Sequence, residues 1–175
     1  MIESSLAALR AIEAEDLQTL REWRNRPEYR RFFREVGEIS ASQQATWYSQ
    51  TVLSDPNTFM FAILERSTSN LIGAGGICSV DWVSRSCELS IYLGDRDLYI
   101  DKVFAPEAAQ LLIDYAFSQL SMHRIWVEIY EFDVQKRELV EGLSFSLEGT
   151  LRDHHFSDGE WHDSLLFGLL ADESE

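Results

Sequence analysis

"LIGAGGICSVDWVSRSCELSIYLG", residues 71–94, reads as two strands folded back on one another. The first, "LIGAGGICSV", is apolar and glycine-rich, and the polar run "DWVSRS" joins it to "CELSIYLG". In that second strand Leu89, Ile91 and Leu93 fall on one face and Glu88, Ser90 and Tyr92 on the other. This is the period of two of a half-buried strand. Cys87 shares the apolar face, so a buried structural thiol is expected there.

The same reading extends outward. Upstream, "TFMFAILER" is another apolar strand that turns through "STSN". Before it, a strand near Leu6 to Ile12 precedes "DLQTLREWRN", where Leu17, Leu20 and Trp23 recur at helical spacing and Pro27 soon closes the helix. "EYRRFF" is a short helical turn, and Ser40 with Gln43 forms a capping-box signature opening "ASQQATWYSQTVL", which "DPN" (55–57) breaks. Downstream, "LYIDKVFAPEAAQLLIDYAF" (98–117) gives an amphipathic helix from Pro106 on, with Leu111, Leu112, Tyr115, Ala116 and Leu120 as its apolar stripe. "HRIWVEIYEF" is a strand, "DVQKRELVEGL" a short helix, and "SFSLEGTLRDHHF" a strand that an Asp-Gly turn joins to "WHDSLLFGLL". The order β-α-α-β-β-β-α-β-α-β-β predicts one α/β domain over residues 1–175, ending in a short acidic tail over 170–175. Its mixed, mainly antiparallel sheet of about seven strands is flanked by helices, with one or two parallel neighbours.

Composition narrows the function. Thirty acidic residues against fifteen basic give a formal charge of −15. That field repels phosphate backbones, so no nucleic-acid partner is expected, and it attracts cations, amines among them. No apolar run approaches the ~20 residues of a membrane span, and "MIESSLAALRAIEAED" lacks the cationic start of a secretory signal. Only Cys78 and Cys87 are present, without CxxC spacing, which suits a reducing cytoplasm.

These strings, in this order, resemble the GCN5-related N-acetyltransferase (GNAT) superfamily, in its branch of ribosomal-protein-alanine and amino-sugar acetyltransferases. "LRAIEAEDLQTLREWRNRPEYRRFF" is similar to that branch's opening strand and helix, including Trp23, Arg24 and Asn25. Residues 71–94 resemble its central hairpin, "LLIDYAFSQLSMHRIWVEIY" its long helix and following strand, and "LSFSLEGTLRDHHFSDGEWHDSLLFGLL" its closing hairpin. The resemblance implies transfer of an acetyl group from acetyl-CoA, as co-substrate, to a primary amine of an amino sugar or a protein N-terminus. It implies direct attack, no metal, and a plausible homodimer.

Carried onto this chain, the resemblance places the cofactor's pantetheine arm along the backbone of Ile91, Tyr92 and Leu93. Its pyrophosphate falls on a loop-and-helix unit comprising Ile100, Lys102, Val103, Phe104 and Ala105. The family's loop reads Arg or Gln, two residues, Gly, any residue, then Gly or Ala; the counterparts here are Ile100, Val103 and Ala105, and only Ala105 conforms. Asp101 adds a negative charge, with Lys102 as local compensation. Asp133 stands for the family's Asn, Val140 for its proton-donating Tyr, and Ser144 for the Gly of Leu-Gly-Phe. These departures leave two other readings open, a non-transferring binding or regulatory module and a different acyl donor.

Glu88, on the strand that passes the acetyl group in the family, is the expected base. Tyr130, with Tyr99 as the alternative, is the expected substitute for the missing tyrosine acid. Arg24, Asn25 and His154 are expected at the acceptor. His154 and His155, adjacent on a strand, point to opposite faces, so no metal site follows from their spacing. The basic run Arg30, Arg31 and Arg34 reads as a phosphate site or a solvated helix face.

Overall fold

The computed structural model describes residues 1–35, 37–95 and 99–173. Eight strands form one sheet in the order β1-β2-β3-β4-β5-β6-β8-β7. The strands are β1 (Ile2–Glu3), β2 (Ala7–Ala11), β3 (Phe59–Glu65), β4 (Leu71–Asp81), β5 (Ser86–Leu93), β6 (Arg124–Tyr130), β7 (Ser146–Ser157) and β8 (Glu160–Leu170). The helices are α1 (Leu17–Arg24), α2 (Pro27–Arg30), α3 (Ala41–Trp47), α4 (Phe104–Asp114) and α5 (Val134–Gly142). Among the described residues only β5 and β6 run parallel, joined through α4; every other neighbouring pair is antiparallel.

The predicted signals act as expected. Ser40 Oγ accepts from the Gln43 amide and Gln43 Oε1 from the Ser40 amide, closing the capping box. Asp158 and Gly159 both take positive φ, the geometry of a two-residue Asp-Gly hairpin loop. Cys87, Leu89, Ile91 and Leu93 enter the core. Three boundaries differ. Pro27 opens α2 at its first position, where a missing N–H is harmless, besides ending α1. The two-residue β1 pairs with β2 at one sheet edge, too short to leave a periodic signal. Helix α4 begins at Phe104, ahead of Pro106, because the Asp101 side chain caps it.

The acidic tail docks as far as it is described. Residues Ala171–Glu173 form a 3-10 turn, held by the Ala171 amide on the His123 carbonyl and by Glu173 Oε2 accepting from the Leu170 amide. Residues 174–175 of the expected tail lie outside the described residues. Among the described residues no helix is long and apolar enough to cross a membrane.

Two features position the site. The β5–β6 ladder is short, pairing Ser86–Cys87–Glu88 with Arg124–Ile125–Trp126, after which the strands part and leave a wedge between their edges. At the end of β5, Gly94 lies directly beneath the Trp23 ring; a Cβ there would sit 2.0 Å from it. The Arg26 guanidinium donates to the Gly94 carbonyl at 2.8 Å, so the segment after α1 is joined to the end of β5.

Candidate active site

A cavity of about 390 Å³ opens at the wedge. From β5 it receives Glu88, Ser90 and Tyr92, the polar face predicted from alternation, and from β6 it receives Glu128 and Tyr130. The segment following α2 closes one side with Arg34 and Glu35, and α1 contributes Arg24. Its carboxylates (Glu35, Asp55, Glu88, Glu128 and Asp133) outnumber its cations (Arg24, Arg34 and Lys136), so the cavity favours a positive guest.

Arg34 bridges the two central carboxylates, 3.4 Å from Glu88 Oε1 and 3.2 Å from Glu128 Oε2. Its basic neighbour Arg31 lies over the Phe32 and Phe132 rings. Within the run, Arg31 is exposed yet packs on aromatics, and Arg34, also exposed, lies at the cavity mouth between carboxylates. Ser79 Oγ donates to Glu88 Oε2 at 3.4 Å. Arg24 stacks its guanidinium over Phe33 at 4.4 Å and pairs with Glu35, but its buried Nε has no partner. Asn25 lies apart from this cavity, its amide bonded to both the N–H and the C=O of Ile39 at 2.8 and 2.9 Å. That pairing fixes the loop before α3 and leaves the Asn25 side chain little capacity for an acceptor.

The closing hairpin approaches from the far side. His154 Nδ1 lies 3.1 Å from Ser164 Oγ and 3.2 Å from Glu128 Oε1. His155 stacks on Tyr130, ring centroids 4.0 Å apart. Both neighbouring histidines thus meet one face of β6. The strict alternation expected of a strand is interrupted by a bulge between Leu151 and His155, where Asp153 takes positive φ.

Burial raises the Tyr130 hydroxyl above its ordinary value, with Arg34 opposing. Tyr99 is wholly buried among Tyr29, Phe32 and Phe33, and donates to Asp133 Oδ2 at 3.3 Å. Burial, with the Asp133 charge, raises it further, so it is a packing group held off the cavity. Asp133 is raised by burial as well, opposed by Lys136, and its Oδ1 caps α5 through the Lys136 amide. Burial pushes the cavity-lining Cys78 thiol up to about 12.

Of the backbone positions expected to meet a pantetheine arm, two face away from β4 and one of these is already engaged. The Gly94 amide bonds Ile72 on β4, so alternation turns the Tyr92 amide toward β4 as well. The Leu93 amide faces the other way but is taken by the Tyr99 carbonyl at 2.8 Å. Ile91 lies beyond the last β5–β6 pair, with its N–H and C=O on the open edge.

The loop expected to hold the pyrophosphate is closed on itself by its own aspartate. The amides of Val103, Phe104 and Ala105 converge on Asp101 Oδ1 at 3.2, 2.8 and 2.8 Å. The carboxylate thereby satisfies three N–H groups that a helix N-terminus would otherwise leave unpaired. Ile100 points into the core, where a loop arginine or glutamine could not, and Lys102 pairs with Glu138 of α5 at 3.0 Å. Between them lies a second cavity of about 300 Å³, walled by Gln135, Glu138, Leu139 and Leu143. Helix α5 therefore turns one stripe to this groove, while Lys136 lines the wedge cavity.

The sheet thus parts between two parallel strands, and an acidic cavity opens at that parting. The family model for the acetyltransferase (GNAT) domain matches residues 7–146, and the chain belongs to that family. It is an N-acetyltransferase, moving an acetyl group from acetyl-CoA to an amine. The chain is 29% identical over 167 residues to the N-acetyltransferase p20 of Bacillus licheniformis, covering 94% of this chain and 93% of that one. It is 24% identical over 160 residues to a spermidine N(1)-acetyltransferase of Vibrio cholerae, covering 91% and 90%. A crystal structure of spermidine N-acetyltransferase from Vibrio cholerae, in complex with CoA and spermine, shares the fold with a TM-score of 0.89 at 23% identity, over 98% of this chain and 99% of that one.

The sequence reading lacks the wedge, the Glu128 counter-wall and Lys136, and it has Arg34 in a basic run without its place between two carboxylates. Lys136 carried a usable signal: it lies four residues before Val140, on the same face of α5.

Proposed function

We propose that the acceptor is a small aliphatic amine bearing more than one positive charge, a polyamine in preference to an amino sugar or a protein N-terminus. One observation carries this reading: Glu88 and Glu128 already hold a cation between them, the Arg34 guanidinium. An alkylammonium has the charge and size to replace it, and the remaining carboxylates suit a second charge. The spermidine acetyltransferases among the relatives agree with this chemistry.

Glu88 then takes the proton that the attacking ammonium must lose, with Ser79 orienting its carboxylate. Glu128, backed by His154, holds the acceptor's charge, and Arg24 with Glu35 borders the entry. The open edge at Ile91 receives the amide-bearing arm of acetyl-CoA, and the amides of Val103, Phe104 and Ala105 receive its pyrophosphate once Asp101 yields. Bound acetyl-CoA supplies the activated acetyl group. Tyr92, Tyr130, Cys78 and Lys136 are the titratable groups in the cavity that can carry a proton to give.

Thermal shift with acetyl-CoA, CoA and desulfo-CoA tests the donor. Saturation near 100 times the dissociation constant stabilises by about 2.7 kcal/mol, so the melting point should rise by roughly 5–10 °C. Rates with spermidine, glucosamine and an alanine-terminated peptide then test the acceptor. A larger kcat/KM for the sugar or the peptide would overturn the polyamine reading. Glu88→Gln should lose rate while keeping CoA affinity.

A further inference from the structure

The Lys136 amide serves the α5 cap, but its side-chain ammonium takes no part in the hydrogen bonds and ion pairs of the fold. It is half-buried at the third position of α5, and its side chain lines the wedge cavity beside Glu88, Ser90 and Cys78. Among the described residues its ammonium has no hydrogen-bond or ion-pair partner. A long helical side chain leans toward the helix N-terminus, which here brings the amine toward the Asp133 end and the wedge. The groups around it come from every wall: Asp133 at the α5 cap, Glu88 from β5, Glu128 and Tyr130 from β6, Cys78 from β4, and Arg34 opposite. A cation in the first turn also meets the positive end of the helix.

We propose that Lys136 is the proton donor to the sulfur that departs when the acetyl group is transferred, a role that rests on the acetyltransferase reading above. Lys136 gives one ammonium proton to sulfur as the carbon–sulfur bond breaks with its electron pair on sulfur and the nitrogen–carbon bond forms. The proton that Glu88 takes from the ammonium leaves to solvent before attack, the net proton the reaction releases; Glu88 then accepts the second proton from the acylated nitrogen and returns it to the Lys136 amine, so both side chains end as they began. The other hydroxyls are poorer acids. Tyr130 is clamped against His155, Tyr99 is held on Asp133, and burial raises Tyr92, Tyr99 and Tyr130 alike. Burial moves Lys136 the other way, toward a value at which it gives up a proton readily. It sits one turn before Val140, which has no proton to give.

The test compares Lys136→Met and Lys136→Arg with the wild type, with Lys136→Gln as a second neutral variant, each checked for folding by circular dichroism. Both neutral variants should lose about 100-fold in kcat, and the arginine variant should fall with them, because its guanidinium keeps the charge but does not release a proton. The alkaline fall of the wild-type pH–rate profile, set by the loss of the Lys136 proton, should be absent from the methionine variant. Independently of turnover, ultraviolet titration of bound CoA should show its thiol ionising at higher pH in Lys136→Met and near the wild-type value in Lys136→Arg. Full activity of the arginine or methionine variant would overturn the role. So would recovery of acetylated Lys136 from wild type incubated with acetyl-CoA alone, since Lys136 would then be an acceptor. Failure of the wild type to bind CoA defeats the function itself and is seen separately, by thermal shift.

Discussion

Asp101→Ala should make the protein less stable and a better binder of CoA. In the free protein the Asp101 carboxylate accepts from three amides, at 3.2, 2.8 and 2.8 Å, and so caps α4. Losing such a cap typically costs about 0.5–2 kcal/mol, and an anion at a helix N-terminus is itself favourable by up to about 1 kcal/mol. A loss of about 1–2 kcal/mol lowers the melting point of a domain this size by roughly 2–8 °C, readable by calorimetry without ligand. Binding should move in the opposite direction. A carboxylate about 4 Å from a phosphate costs at least about 1 kcal/mol even in bulk dielectric, so its removal should tighten CoA roughly fivefold or more in titration calorimetry. Asp101→Asn keeps an acceptor oxygen and removes the charge, so it should lose less stability and gain similar affinity. Pantetheine, which lacks the pyrophosphate, should bind all three proteins equally. Unchanged or weaker CoA binding in Asp101→Ala, alongside the expected fall in melting point, would show that these amides serve the helix alone.

Arg34→Ala should lower the acceptor KM by up to about fivefold at low salt, because an exposed bridge of this kind is worth roughly 0–1 kcal/mol and competes with the acceptor cation; a raised KM would show that Arg34 recruits the substrate. Gly94→Ala drives a methyl into the Trp23 ring and should cost about 1–3 kcal/mol in urea unfolding, whereas a change within experimental error would mean the ring simply moves aside. Asp16, bonded twice by Arg10 and capped by the Glu13 amide, has a depressed carboxyl, so its stabilisation is present above 3.8 and is lost as pH falls through the lower folded value. Asp16→Asn should therefore flatten the acid limb of stability. Asp133 is raised, so its effect has the opposite sign: it favours the fold below 3.8 and loses that advantage as pH rises through the folded value. Stability curves of Asp133→Asn across pH 3–7 should show that slope removed.

The fold was legible because its signals are local. Alternation in β5, the Ser40–Gln43 box and the Asp158–Gly159 turn each act within a few residues. The site was legible only in part. Glu88, Tyr130 and Arg24 do meet in one cavity, since their strands and helix were assigned correctly. Two features escaped because they depend on tertiary geometry. The wedge arises where two parallel strands part, which no pattern within either strand encodes. Arg34 reads as part of a basic run until the fold sets it between two carboxylates 40 residues apart in sequence, Glu88 and Glu128. The cap on α4 was hidden differently. Asp101 was legible as an unfavourable charge near a phosphate, but its inward turn onto three amides follows from backbone geometry alone.

The junction at Gly94 ties two segments that are far apart in sequence. Trp23 rests on Gly94 and Arg26 binds its carbonyl, so the segment that leads to Arg34 and the strand that carries Glu88 share one mechanical anchor. Grafting residues 23–35 from a relative, or moving them into one, transfers acceptor preference only if the ring and the glycine travel together. A scaffold with any side chain at position 94 would tilt the graft away from the cavity it is meant to serve. If Arg34 and Glu88 meet the acceptor as proposed, its selection depends on two segments distant in sequence, and chimeras cut between them should fail in pairs that the double exchange restores.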